Sequence, residues 1–288
     1  MNMNNLNGKL AVITGGSSGI GLSIAEALAK KGARILIVAR NEKKLADAAQ
    51  QLSSSSQLPI ETLSADISKA EDVKAIANKV AQLAPCADIV VNNAGIVSAG
   101  YLIDTPLDEW ERLYSLNVRG LVGLLQQLTP AMEEQGLKDQ QARHIVNVAS
   151  AAGILAFPGM SAYNASKAAV IALSDCIRLE LAPANIGVSI VCPTYVKTPI
   201  AETVQIFGRM NTPRNHKKVV NGFKRAKLTG EFVANETLKA INKNKGLIIL
   251  GTDGKVASVI QRLSRDLYTK FVLKMLKPKK KSNMRKAA

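Results

Sequence analysis

The feature that most constrains this chain is a glycine cluster set between a short apolar run and a helical pattern. Residues 9–14 read KLAVIT, residues 15–21 read GGSSGIG, and apolar residues then recur at Ile20, Ile24, Ala27 and Leu28. Strand, glycine turn and helix in that order open a βαβ unit. The glycines permit a tight turn and let backbone N–H groups approach an anion at the helix N-terminus, where peptide dipoles favour negative charge. A dinucleotide pyrophosphate is the ligand such a turn holds. The spacing is G-x-x-x-G-x-G rather than the commoner G-x-G-x-x-G, and glycines alone also make plain turns. The flanking strand and helix favour the phosphate reading.

The same alternation runs on. Apolar strand-like runs stand at 34–39, 60–65, 88–91, 144–149, 187–192 and 246–250, with helical spacing at 41–52, 71–83, 106–118, 118–134 and 161–181. Apolar strands alternating with helices predict a parallel sheet covered on both faces, a doubly wound α/β domain of Rossmann type. Residues 1–254 form this domain and 255–288 an extension. Ligands in such a sheet bind at the carboxyl ends of the strands. Arg40 follows the second strand at once. Enzymes selective for NAD place an acid there to hold the ribose 2′-hydroxyl; here that position is Ala39, and Arg40 can pair with a 2′-phosphate, with Ser17 or Ser18 adding a hydroxyl. This predicts NADP, against the rival account of a solvated arginine opening a helix.

Tyr163 and Lys167 are four residues apart in a helical pattern and share one face. A neighbouring ammonium stabilises a phenolate, so the pair could move a proton at a substrate oxygen. Alone this spacing is common. Its context is specific: Ser150 ends the fifth strand, Asn92-Asn93-Ala94-Gly95 ends the fourth, and Asn117 lies in the helix that follows.

With these motifs in place, the sequence resembles a classical short-chain dehydrogenase/reductase. The matching segments are residues 14–21, Asp66, 92–95, Asn117, Ser150, Tyr163-Asn164-Ala165-Ser166-Lys167, and Pro193 with Val196 and Thr198. The resemblance implies that Tyr163 is the general acid/base, that Ser150 orients the substrate oxygen, and that Lys167 lowers the Tyr163 pKa and holds the nicotinamide ribose. It implies that Asn117 supports a water-linked proton path, that Asp66 contacts the adenine and that Asn92 lies beside the adenosine ribose. Further cofactor contacts are expected from Gly15, Ser17, Ser18, Gly19, Ile20 and Gly21 in the turn, from Arg40 and Ile67, from Ala94 and Gly95, and from Pro193, Val196 and Thr198. The chain departs from the family at Pro193-Thr194, where Pro-Gly is usual, which puts a side chain where the backbone passes the nicotinamide. The implied activity is an NADP(H)-dependent carbonyl reductase or alcohol dehydrogenase. The alternative is a non-catalytic NADP-binding sensor or scaffold, which the complete set of four catalytic residues disfavours.

Charge separates the C-terminal third from the rest. The net charge is +16, yet residues 1–204 sum to −1, while 255–288 hold 11 Lys and Arg against one acid. In that extension Val256, Val259, Ile260, Leu263, Leu267, Phe271, Met275 and Leu276 recur at helical spacing with Arg262, Arg265, Lys270, Lys274 and Lys277 between them. The pattern predicts one basic amphipathic helix followed by a frayed basic tail from 277. It either lies in an anionic membrane surface or docks on protein. Without aromatic interleaving, nucleic acid is not expected. Residues 199–230 are expected to form a substrate lid; the apolar Ile200, Val204, Ile206, Phe207 and Met210 suggest a hydrophobic, lipid-like ketone or alcohol, although core packing accounts for them equally. A homodimer or homotetramer is expected. Cys86, Cys176 and Cys192 lack metal-like spacing and read as buried small hydrophobes, with no metal site. Residues 1–7 lack the apolar core of a signal peptide and no run of about 20 apolar residues occurs, so a cytoplasmic protein is expected, one that touches a membrane if the extension does.

Overall fold

In the computed structural model, which describes residues 3–276, the apolar runs become strands and the periodic segments helices. The first half comprises β1 (Leu10–Thr14), α1 (Gly19–Ala29), β2 (Arg34–Ala39), α2 (Glu42–Ser53), β3 (Ile60–Ser64), α3 (Ala70–Leu83) and β4 (Ile89–Asn92). After the short β5 (Ser98–Ala99) come α4 (Leu107–Tyr114), α5 (Leu121–Asp139), β6 (Arg143–Val148), α6 (Ser161–Glu180) and β7 (Ile186–Pro193). The remainder is β8 (Val196–Lys197), β9 (Gln205–Ile206), α7 (Pro213–Lys224), β10 (Leu228–Thr229), α8 (Gly230–Asn242), β11 (Leu247–Leu250), α9 (Thr252–Leu263) and α10 (Arg265–Leu276).

Seven strands form a parallel sheet in the order β11-β7-β6-β4-β1-β2-β3. Alternate residues of each strand enter two separate cores. Leu10, Val12, Leu36, Val38, Val90 and Ile145 meet Ile76 of α3, Leu124 of α5 and Val170 of α6. Ala11, Ile13, Ile35, Ile37, Ile89 and Val91 meet Ile24 of α1, Leu52 of α2 and Val233 of α8. Each fully buried Leu or Ile contributes roughly 1.5–3 kcal/mol, which is why both faces must be covered. The strand order reverses between β1 and β4, and a crevice at their carboxyl ends follows from that reversal.

Four expectations need correction. The helical runs at 106–118 and 118–134 are one rod, in which a π-helical turn (Ser115–Gly120) joins α4 to α5. Gly120 is needed there, because a Cβ would sit 2.7 Å from the Ile67 carbonyl oxygen. Helix α8 packs on α1 and has no counterpart in the sequence reading. The expected single C-terminal helix is two: Ser264 is extended (φ −158°, ψ 114°) and its hydroxyl accepts the Leu267 N–H at 3.1 Å, starting a new helix as serine does at an N-cap. Cys86 and Cys192 are buried as expected, but Cys176 is exposed on α6. The tail from 277 to 288 lies outside the described residues. Among the described residues no helix is long and apolar enough to cross a membrane.

Candidate active site

The glycine turn is held by close approaches that only hydrogen permits. Gly15 and Gly19 have φ of 62° and 55°, in the left-handed region. A Cβ on Gly21 would collide with the Gly15 carbonyl and the Asn93 amide. The loop after β4 is laced to this turn: Thr14 Oγ1 accepts from the backbone N–H groups of Asn93 and Ala94, each at 3.1 Å, and Asn93 Nδ2 donates to the carbonyls of Thr14 (3.0 Å) and Gly15 (3.1 Å). Ser18 caps α1 without a side-chain hydrogen bond to the first turn, leaving those N–H groups for an anion. Thr198 lies over the turn, its Cγ2 3.3 Å from where a Cβ on Gly19 would be. A glycine cradle that a Cβ would fill, at an uncapped helix N-terminus, fits a dinucleotide pyrophosphate. Gly15, Gly19, Gly21, Ala94 and Thr198 thus converge, and Ser17, Ser18 and Ile20 stand partly or fully exposed on the same turn.

Arg40 and Asp66 lie just past the ends of the neighbouring β2 and β3, with Arg40 Nη1 3.7 Å from Asp66 Oδ2. Burial pushes the Asp66 carboxyl up, but the Ser68 N–H and hydroxyl, with Arg40 and Lys69, outweigh it and hold the group below its usual value. The Arg40 side chain is 65% exposed. An ion pair this exposed contributes little, so the guanidinium is free to exchange partners. Ile67, Pro193 and Val196 are buried, which leaves their backbone rather than their side chains to meet a ligand.

Asn92, the last residue of β4, turns its side chain inward. Its side chain enters the sheet and donates from Nδ2 to Asn147 Oδ1 at 2.8 Å, and Asn147 donates to Ser174. Its own Oδ1 is buried without a partner. The side chain that reaches the glycine turn is Asn93, which the sequence reading passed over; a repeated asparagine at a strand end gives two candidates on opposite faces, and alternation alone does not say which faces the crevice.

The catalytic candidates gather at the end of β6. Ser150 caps the short 3-10 turn Ala151–Gly153, with Oγ accepting the Ala152 N–H at 3.1 Å, and its hydroxyl lies beside that of Tyr163, near enough to lower the phenol's pKa. Lys167, one helical turn on, is buried and donates to the Val148 carbonyl at 3.0 Å. Asn117 accepts from the Ile96 N–H (2.9 Å) and donates to the Ile96 carbonyl (3.0 Å) and Ser166 Oγ (3.1 Å). Its amide braces the 94–96 loop against α6, and both of its N–H groups are used in doing so. Gly95 closes the group: a Cβ there would stand 3.2 Å from Asn117 Oδ1 and 3.3 Å from Lys167 Nζ.

Burial pushes the Tyr163 phenol up to about 12, with the Ser150 hydroxyl acting the other way, and lowers Lys167 to about 8. The expected lowering of Tyr163 by Lys167 is not seen here: the ammonium faces the Val148 carbonyl, and desolvation of the phenolate dominates. Tyr163 therefore holds its proton at neutral pH and is set up as an acid. Cys192, missed as a neighbour of the site because it reads as core, takes a hydrogen bond from the Ser150 backbone, and burial pushes its thiol up to about 12.

Thr194 also corrects an expectation. A Cβ on Gly251 or Gly254 would collide with its side chain. It therefore sits in the notch where α9 begins. Among the described residues no cluster of three His, Cys, Asp or Glu side chains suits a metal ion.

Residues 9–206 match the family model for short chain dehydrogenases. The chain is 33% identical over 196 residues to an uncharacterized oxidoreductase of Staphylococcus saprophyticus, covering 68% of this chain and 82% of that protein. Its fold is similar to a short chain dehydrogenase/reductase from Burkholderia phymatum in complex with NAD, with TM-score 0.82, 28% identity, and 92% and 96% of the two chains covered. It is also similar to L-sorbose reductase from Gluconobacter frateurii complexed with NADPH and L-sorbose, with TM-score 0.74, 28% identity, and 87% and 97% covered.

Proposed function

The chain belongs to the short-chain dehydrogenase/reductase family, and from that premise we propose that it is an NADP(H)-dependent oxidoreductase acting on the carbonyl or hydroxyl carbon of a hydrophobic, lipid-like substrate. The observation that carries the reading is the Ser150–Tyr163 hydroxyl pair beside buried Lys167, at the same end of the sheet as the glycine cradle.

A bound nicotinamide dinucleotide supplies or takes up the hydride. The chain's own residues do the rest. The N-terminus of α1 and the turn from Gly15 to Gly21 hold the pyrophosphate. Arg40 would pair with a 2′-phosphate in place of its exposed bond to Asp66, with Ala39 rather than an acid at the end of β2. A substrate oxygen set against the two hydroxyls is held by Ser150 and receives the phenolic proton of Tyr163 during reduction. Support for a hydrophobic substrate comes from exposed Leu102, Ile103 and Phe157 on loops at this end of the sheet. Assembly as a homo-oligomer belongs to the same reading and is checked by light scattering.

The test is NADPH oxidation with ketones of increasing chain length. Turnover should rise with apolar length and fall by about 10²–10⁴ in Tyr163→Phe while NADPH binding persists. Tight NADPH binding without turnover on any ketone overturns the enzyme reading in favour of a sensor. Arg40→Asp should weaken NADPH at least about tenfold more than NADH, and equal effects overturn the cofactor assignment.

A further inference from the structure

We propose that the outer face of α9 and α10 is a seat for an anionic lipid surface. This rests on the helix pair alone and holds whatever the cofactor or substrate.

The structure divides the apolar residues of this segment into two sets. Ala257, Ile260, Tyr268 and Val272 turn inward onto Ala151, Ile154 and Leu155, just past Ser150, and the Tyr268 hydroxyl donates to the Ala156 carbonyl at 3.2 Å. Val256, Val259, Leu263, Leu267 and Phe271 stay outside, each 49–80% exposed. Docking on the body therefore uses one stripe and leaves a second uncovered. At 100° per residue, Val256, Val259 and Leu263 share one face of α9, flanked by Lys255 and Arg262. Leu267 and Phe271 share one face of α10, flanked by Lys270 and Lys274.

Charge decides what covers that face. The helix pair, residues 252–276, holds five Lys and Arg against two acids, and six more Lys and Arg follow in 277–288, outside the described residues. A second copy meeting it across a twofold axis would set two such segments against each other, apolar rows matched but like charges opposed. A nucleic acid would take the cations but leave the valine and leucine row in water. An anionic lipid surface meets both needs, since the acyl boundary takes the row and the headgroups take the flanking cations. The seat also adjoins the catalytic rim: Tyr268 bonds Ala156, Phe157 is the next residue, and Gly100 of the loop bearing Leu102 and Ile103 donates its N–H to the Gly159 carbonyl at 2.7 Å. A lipid-borne substrate held there meets the mouth of the site directly.

The full chain is sedimented with phosphatidylcholine vesicles, with and without roughly 30% phosphatidylserine. Binding should be at least about tenfold tighter to the anionic vesicles and should weaken as salt rises from about 0.1 M to about 0.5 M. The double variant Leu263→Asp/Phe271→Asp changes only exposed side chains and should lose about tenfold in binding, with thermal melting unchanged. As a second readout, an environment-sensitive dye on Val259→Cys should shift towards an apolar signal on anionic vesicles. Equal binding to neutral and anionic vesicles overturns the proposal. So does full vesicle binding by the double variant, which would assign it to cations alone and favour a nucleic-acid polyanion. A dimer in light scattering that the double variant dissolves assigns the face to a second copy and also overturns it.

Discussion

A tyrosine four residues before a lysine is an ordinary helical spacing, and its meaning here comes from what surrounds it. Ser150 and Tyr163 were legible as a pair because one ends a strand and the other begins a helix at the same end of the sheet. The ionisation of Tyr163 was not legible, because it depends on burial and on where the lysine ammonium turns. In the unliganded protein, phenolate absorbance of wild type minus Tyr163→Phe should appear only above about pH 10, since a raised pKa keeps the neutral form. A titration near pH 7 would show that Lys167 reaches the phenol after all. The sign carries into kinetics. Reduction uses the protonated phenol, so Tyr163 does not limit it near neutrality. Lys167 loses its charge near pH 8, so kcat/KM for reduction should decline from about there. A pH profile flat to pH 10 would remove Lys167 from the rate. Gly21 is the other residue whose role is steric: Gly21→Ala should cost about 1–3 kcal/mol in stability and weaken dinucleotide binding, measured by melting and titration.

Elements were read most faithfully where periodicity was strong and least where a capping or packing residue decides. The seven sheet strands match the apolar runs to within a residue or so at each end. The break at Ser264 went unseen because the apolar spacing continues through it, and the hydroxyl that starts α10 is a local effect. Thr194 looked like a substitution in the cofactor path, yet its side chain fills the notch against Gly251 and Gly254. The loop after Ser150 is thus tied to the C-terminal helices through Tyr268, and the loop after β7 through Thr194. Tyr268→Phe should cost about 0.5–1.5 kcal/mol by losing the bond to Ala156, and Tyr268→Ala about 3–5 kcal/mol by emptying the contact with Ala151 and Leu155. Hydrogen exchange should quicken at 151–156 in both, more in the alanine variant. Unchanged exchange there would mean that α10 rests on the loop without holding it.

At the scale of the molecule, the sequence shows residues 1–204 nearly neutral and the C-terminal third basic. What it does not show is how the centre of the sheet responds to acid. His144 on β6 is buried, its Nε2 lies 2.8 Å from Ser189 Oγ, and Ser189 donates to the Lys245 carbonyl at 2.6 Å. Burial, helped by Arg178, lowers its pKa to about 3. The native imidazole stays neutral while the unfolded one binds a proton below about pH 6.5, so this site favours unfolding progressively as pH falls from about 6.5 towards 3. The slope is about 1.4 kcal/mol per pH unit for one proton. The chain has one other histidine, His216, exposed on α7. Asp66 and Asp139, the latter held at about 2 chiefly by its hydrogen bond to Arg143, stabilise the fold above the usual carboxylate range and lose that effect only at lower pH. Between about pH 6 and 4.5 His144 therefore gives the main loss, with Glu134, held below its usual value by Lys138, adding to it only towards the lower end. Urea midpoints of wild type should fall across this window, and His144→Gln, less stable at pH 7 for its poorer fit beside Gly187, should fall by about one proton's slope less. Parallel slopes would place the acid sensitivity elsewhere in the sheet.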